Sequence, residues 1–161
     1  MVFKLIIPVY PAGKIATSSY DVLDQILQFY TNTTRFPKMK QAVVGGHSLG
    51  GQMIQRYAAV GKDLGLSVRV NYWVGNPDSY VWFNSDRPIN TGSCPDYNDW
   101  RDGLDNYTPT YGSTLVALGP KSVYSRYTSR SINYAIGLLD YNDDSTRCGP
   151  DTTGEHKLNI Y

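Results

Sequence analysis

A chain of 161 residues, 41% hydrophobic and 18% charged, can bury one core and is neither a disordered tail nor a coiled coil. Its 15 basic and 14 acidic residues leave a formal charge of +1, and no run of Lys and Arg marks a nucleic-acid-binding face. No apolar stretch approaches the ~20 residues that cross a bilayer, so no transmembrane segment is expected. The first apolar run is too short for a secretory signal.

Phe3, Leu5, Ile6, Ile7 and Val9 form a β-rich run closed by Pro11 and Gly13, apolar on both faces like a buried parallel strand. Ser18 or Ser19 reads as a helix N-cap with Asp21 in the first turn, and Val22, Leu23, Ile26, Leu27 and Tyr30 follow at helical spacing. A polar turn region over 31–38 leads to a second short strand, Gln41, Ala42, Val43 and Val44, ended by Gly45 and Gly46. Met53, Ile54, Tyr57 and Ala58 mark a second helix, with Gly61 as its C′ residue. Val68, Val70, Tyr72 and Val74 alternate as a third strand, ended by Gly75-Asn76-Pro77. Over 78–130 the regular pattern fades, which predicts a long insertion with a short helix near 98–104. Ile132, Tyr134, Ile136, Leu138 and Leu139 predict a fourth strand over 132–139, followed by a polar tail. The alternation of strand and helix predicts an α/β fold: a mostly parallel sheet with flanking helices, joined by right-handed crossovers.

Cys94 and Cys148 lie 54 positions apart, without zinc-ligand spacing, and form either one disulfide or two free thiols. No structural metal is expected. Asn32-Thr33-Thr34 and Asn106-Tyr107-Thr108 are N-glycosylation sequons. With the even cysteine pair, they favour an extracellular location.

The chemistry lies in Gly46-His47-Ser48-Leu49-Gly50, a G-x-S-x-G pentapeptide set between an apolar strand and a helix. A strand–turn–helix of this kind forces the serine into strained backbone angles, and its glycines avoid clashes with the helix or the adjoining strand. Ser48 then stands above the carboxyl end of the strand, and the Leu49 N–H sits at a helix N-terminus, aimed at a developing oxyanion. A phosphate-binding loop fits less well, because Gly51-Gln52 replaces the Lys-Ser/Thr that contacts phosphate and magnesium.

Gly45 to Gly51 after a strand resembles the nucleophile elbow of the α/β-hydrolase superfamily, and more narrowly the secreted-type serine esterases and hydrolases of fungi and bacteria. Three further stretches carry the likeness: Val74-Gly75-Asn76-Pro77, the 94–104 segment with Tyr97, Asn98, Trp100, Arg101, Gly103 and Leu104, and Tyr134-Ala135-Ile136-Gly137 with Asp140. The resemblance implies a single partial domain over 1–161, an α/β-hydrolase-like core lacking the first strands and the last. It also implies a cap-like insertion at about 78–130, whose Tyr80, Trp82, Phe83, Tyr97 and Trp100 either wall an acyl site or simply pack the cap onto the domain.

The superfamily's triad order of serine, acid, histidine implies Ser48 as nucleophile and Asp140 as acid, with Asp143 and Asp144 as alternatives. His156 is the candidate base, since His47 adjoins the nucleophile with its side chain directed away. Only fifteen residues separate Asp140 from His156, fewer than the family's intervening helix and strand need, so a surface role for His156 is the alternative. Asp140, Asn142, Asp144 and Asp151 also have partial calcium-loop spacing, but Ser145 stands where a glycine is required. The missing third strand of the family leaves the segment Val2–Val9 to pair with Gln41–Val44, to lie loosely, or to leave a gap that another chain fills. Self-association through exposed sheet edges is one outcome. The expected function is ester hydrolysis of a small-molecule or lipid-like substrate without a cofactor. The alternative is a non-catalytic remnant of the fold.

Overall fold

The computed structural model describes residues 17–87 and 94–138. The first helix, Ser19–Tyr30 (α1), starts where the sequence places it. The Ser18 hydroxyl accepts the Asp21 N–H at 3.1 Å, and the Asp21 carboxylate accepts the Ser18 N–H at 2.9 Å. This capping box satisfies two N–H groups that a helix start leaves orphaned.

The strand Gln41–His47 (β1) runs three residues beyond the expected 41–44. Gly45, Gly46 and His47 pair with Trp73, Val74 and Gly75 of the parallel strand Arg69–Gly75 (β2), so the ladder overrides the weak strand propensity of glycine. The strand Ser131–Ala135 (β3) is shorter than the expected 132–139. Gly75, the last residue of β2, stands opposite Ala135, so the ladder has no partner past that point. There the Asn76 side-chain oxygen accepts the Gly137 N–H at 2.9 Å instead. The sheet order is β1-β2-β3, all parallel. The chain is thus an α/β protein with helices flanking a parallel sheet. The expected strand over 3–9 and residues 140–161 lie outside the described residues.

The helix Leu49–Val60 (α2) packs on β1 and β2 and buries Ile54, Tyr57, Ala58, Ala59 and Val60. Two helices that the sequence pattern did not reveal follow later: Ser113–Val116 (α3) and Pro120–Thr128 (α4). The signal for α4 was Pro120 at its first turn, where a missing N–H costs nothing. Val123 of α4 is fully buried, worth about 1.5–3 kcal/mol of transfer free energy. The expected helix near 98–104 is instead a knot of turns closed by a bridge between Asp99 and Asp105.

Gly61 caps α2, but not in the left-handed geometry expected of a C′ glycine. Its φ is −62°, an ordinary value. It is needed for space, because a Cβ there would lie 2.5 Å from the Tyr57 carbonyl oxygen and 2.7 Å from Arg130 Nη1. The Arg130 guanidinium donates to the carbonyls of Tyr57, Ala58, Gly61 and Lys62 at 2.8–3.1 Å, closing the helix end that α2 would otherwise expose.

The irregular segment after β2 is fastened to the side of α2. Buried Gln55 donates to the Val81 carbonyl and accepts the Val81 N–H, at 3.3 and 2.9 Å. Buried Arg56 bonds Arg101 O, Ser79 O and Oγ, and the Asp102 carboxylate. Burial pulls the Arg56 pKa down, and Asp102 opposes that pull. Under α1, the buried Asp24 carboxylate accepts both the Tyr57 and Tyr111 hydroxyls, at 2.7 and 2.9 Å.

Cys94 is disulfide-bonded, which excludes a free thiol there, and Cys148 lies outside the described residues. Among the described residues, no helix is long and apolar enough to cross a membrane.

Candidate active site

β1 ends at His47 and α2 begins at Leu49, leaving Ser48 alone in the turn between them. Its φ of 55° and ψ of −123° are values that L-residues avoid. Two backbone bonds hold it there. The Ser48 N–H donates to Gly75 O at 2.8 Å, and Ser48 O accepts the Gln52 N–H at 3.0 Å. The residue is left exposed at the carboxyl end of the sheet.

The glycines around Ser48 have different reasons to be there. A Cβ on Gly46 would overlap the Gly50 carbonyl, and one on Gly51 would come within 2.5 Å of Gly75 O. Those are the two clashes anticipated, one with the helix and one with the adjoining strand. Gly50 corrects the expectation, because nothing described lies within 4 Å of a Cβ built there. The steric demand falls on Gly51, outside the pentapeptide.

The Leu49 N–H is the first of α2 and has no hydrogen-bond partner among the described residues. It lies beside Ser48, where the N-terminal dipole of a twelve-residue helix favours negative charge. The exposed His47 directly precedes Ser48. Asp140, Asp143, Asp144, Asp151 and His156 lie outside the described residues, as does the calcium-like loop. No group of three His, Cys, Asp or Glu side chains able to hold a metal ion comes together among the described residues.

Asn76, which the sequence marked as the end of a strand and as part of a stretch carrying the resemblance, ties two strand exits together in this geometry. Its φ is 38°, its N–H donates to Ala135 O at 2.8 Å, and its side chain holds the Gly137 N–H. It therefore ties the exit of β3, the segment leading to Asp140, to the exit of β2 beside Ser48. The clue was the residue type, since Asn accepts left-handed backbone better than most.

The five insertion aromatics named as a possible acyl wall all have partners. Tyr80 meets the Tyr134 ring at 5.8 Å, Phe83 meets Tyr127 at 4.8 Å, and Trp100 meets Tyr107 at 4.6 Å. Trp82 and Tyr97 each face the Arg87 guanidinium at 5.0 Å. Tyr80 and Phe83 thus pack the segment onto β3 and α4, and the other three contacts hold the insertion together internally. An open cleft of about 550 Å³ lies at the other end of the sheet, lined by Leu27, Lys62, Leu66, Arg69 and Tyr72 among others. It is remote from Ser48 and has no part in the arrangement described above.

No family model, curated protein or solved structure matches this chain.

Proposed function

We propose that this chain is a serine hydrolase of the α/β-hydrolase type, acting on an ester through Ser48. The observation that carries the proposal is the backbone of Ser48: φ 55°, ψ −123°, between a parallel strand and a helix, at an exposed residue. A fold keeps a strained residue where the strain presents a reactive group. The unpartnered Leu49 N–H beside it suits an oxyanion.

In the reaction proposed, Ser48 Oγ attacks the ester carbonyl carbon as its proton passes to a general base. The carbonyl oxygen takes up negative charge against the Leu49 N–H. Collapse breaks the bond to the alkoxy group, which leaves with that proton as an alcohol, and water then releases the acid from the acyl-enzyme. His156 is the base proposed and Asp140 the acid that orients it. The disulfide at Cys94 supports an extracellular setting for this chemistry.

A fluorophosphonate probe tests the proposal, because it phosphonylates only an activated serine. The folded chain should be labelled, Ser48→Ala should abolish both labelling and ester hydrolysis, and His156→Ala should reduce both by orders of magnitude. An unlabelled but folded chain would make it a non-catalytic member of the fold.

A further inference from the structure

Of the two glycosylation sequons, one has the geometry of an acceptor. We propose that Asn32 carries an N-linked glycan, a modification independent of the hydrolytic reading. Asn32, Thr33 and Thr34 are all exposed, in the turn that follows α1. The Asn32 side-chain oxygen accepts the N–H groups of Thr34 and Arg35 at 3.0 and 3.1 Å. The carboxamide is therefore held by its oxygen, and its nitrogen has no partner among the described residues.

Asn106 is different. It has a φ of 48°, and its side-chain nitrogen donates to the Asp99 carboxylate at 2.9 Å. The middle residue of its sequon, Tyr107, packs its ring on Trp100 and bonds the Tyr111 carbonyl. That sequon is built into the fold, whereas the one at Asn32 projects from it.

Two further observations favour Asn32. Phe29 is 46% exposed just before the turn and packs on Phe36 and Tyr30. Arg35 covers one face of the Phe29 ring at 4.7 Å, and a sugar at the adjoining turn would shield apolar surface that remains open to water. The Cys94 disulfide also marks an oxidising compartment, the setting in which such glycans are added. In the transfer, Asn32 Nδ2 bonds to the anomeric carbon of a lipid-diphosphate-linked oligosaccharide. The anomeric C–O bond breaks, the lipid diphosphate leaves, and Nδ2 gives up one proton.

The glycan would not obstruct Ser48. The 31–40 turn feeds the start of β1 and Ser48 follows its end, about 20 Å away at the ~3.3 Å rise of a strand.

The test is to direct the full chain through the secretory pathway of eukaryotic cells and map its peptides by mass, before and after peptide-N-glycosidase. The peptide containing Asn32 should carry a sugar that the glycosidase removes, leaving Asp. Thr34→Ala should abolish it and Thr34→Ser should keep it. Thr34→Ala spares the turn, because Thr34 contributes to it only through its backbone N–H. An unmodified Asn32 in the folded, disulfide-bonded chain would overturn the proposal, whether or not Asn106 carries a sugar. So would a glycan at Asn32 that persists in Thr34→Ala.

Discussion

Gly46 and Gly50 flank Ser48 evenly in the sequence but not in space, and substitution should separate them. Gly46→Ala drives a methyl into the Gly50 carbonyl and should cost about 1–3 kcal/mol or more. Gly50→Ala meets nothing described and sits in the first turn of α2, so it should be neutral or stabilising by up to about 1 kcal/mol. Chemical denaturation of the two variants measures the difference. Ser48 was legible from sequence because a strand, a tight turn and a helix must agree on one serine. The division of labour among its glycines was not, since it depends on which carbonyls approach from β2 and α2. The tie made by Asn76 was not legible for the same reason, because its partners Ala135 and Gly137 lie about sixty residues along the chain.

Helix ends are the most exposed part of an element, and here each kind is specified by one or two side chains. Arg130 gathers four carbonyls at the end of α2. Arg130→Ala should cost about 2–3 kcal/mol, and Arg130→Lys should recover only part of it, because an ammonium cannot match the fork. Thermal or denaturant midpoints of both variants check this. At the start of α1, burial pushes the Asp21 carboxyl up, but hydrogen bonds from Lys62 and Ser18 outweigh it and hold the group below the usual carboxylate range. A depressed folded value gives stability above the unfolded pKa of about 3.9, lost as pH falls through the lower folded value. Asp21→Asn should therefore lose less stability than the wild type between about pH 5 and pH 2, as read from denaturation midpoints. The capping box was readable from Ser18 and Asp21 alone. The ends of β1 and β3 were not, because a strand stops where its neighbour stops pairing. The helix α4 was hidden by polar residues, since only Val123 of its nine residues is deeply buried.

Among the described residues, a small parallel sheet is covered by helix on one face. α2 packs on β1 and β2, while Val43 and Trp73 on the alternate positions stay 64% and 39% exposed. With so modest a core, the covalent link matters. Cys94 is disulfide-bonded, and such a link typically contributes about 2–4 kcal/mol by restricting the unfolded chain. Reduction, or Cys94→Ser, should lower the denaturation midpoint accordingly, and an unchanged midpoint would show that the link constrains little. The α/β class was legible because period-two and period-3.6 patterns alternate cleanly as far as residue 75. Beyond it, the fold depends on Gln55 and Arg56, two polar residues of α2 buried against a segment without periodicity. Sequence patterns assign such residues to the surface, because their burial follows only from partners elsewhere in the chain.

The backbone of Ser48 also bears on how this protein would respond to selection. Glycine relaxes at φ 55° where serine does not, so a library enriched only for heat resistance would drift towards glycine at position 48. Under the serine chemistry proposed above, enrichment for probe capture would hold serine there, and the two regimes would diverge first at that residue.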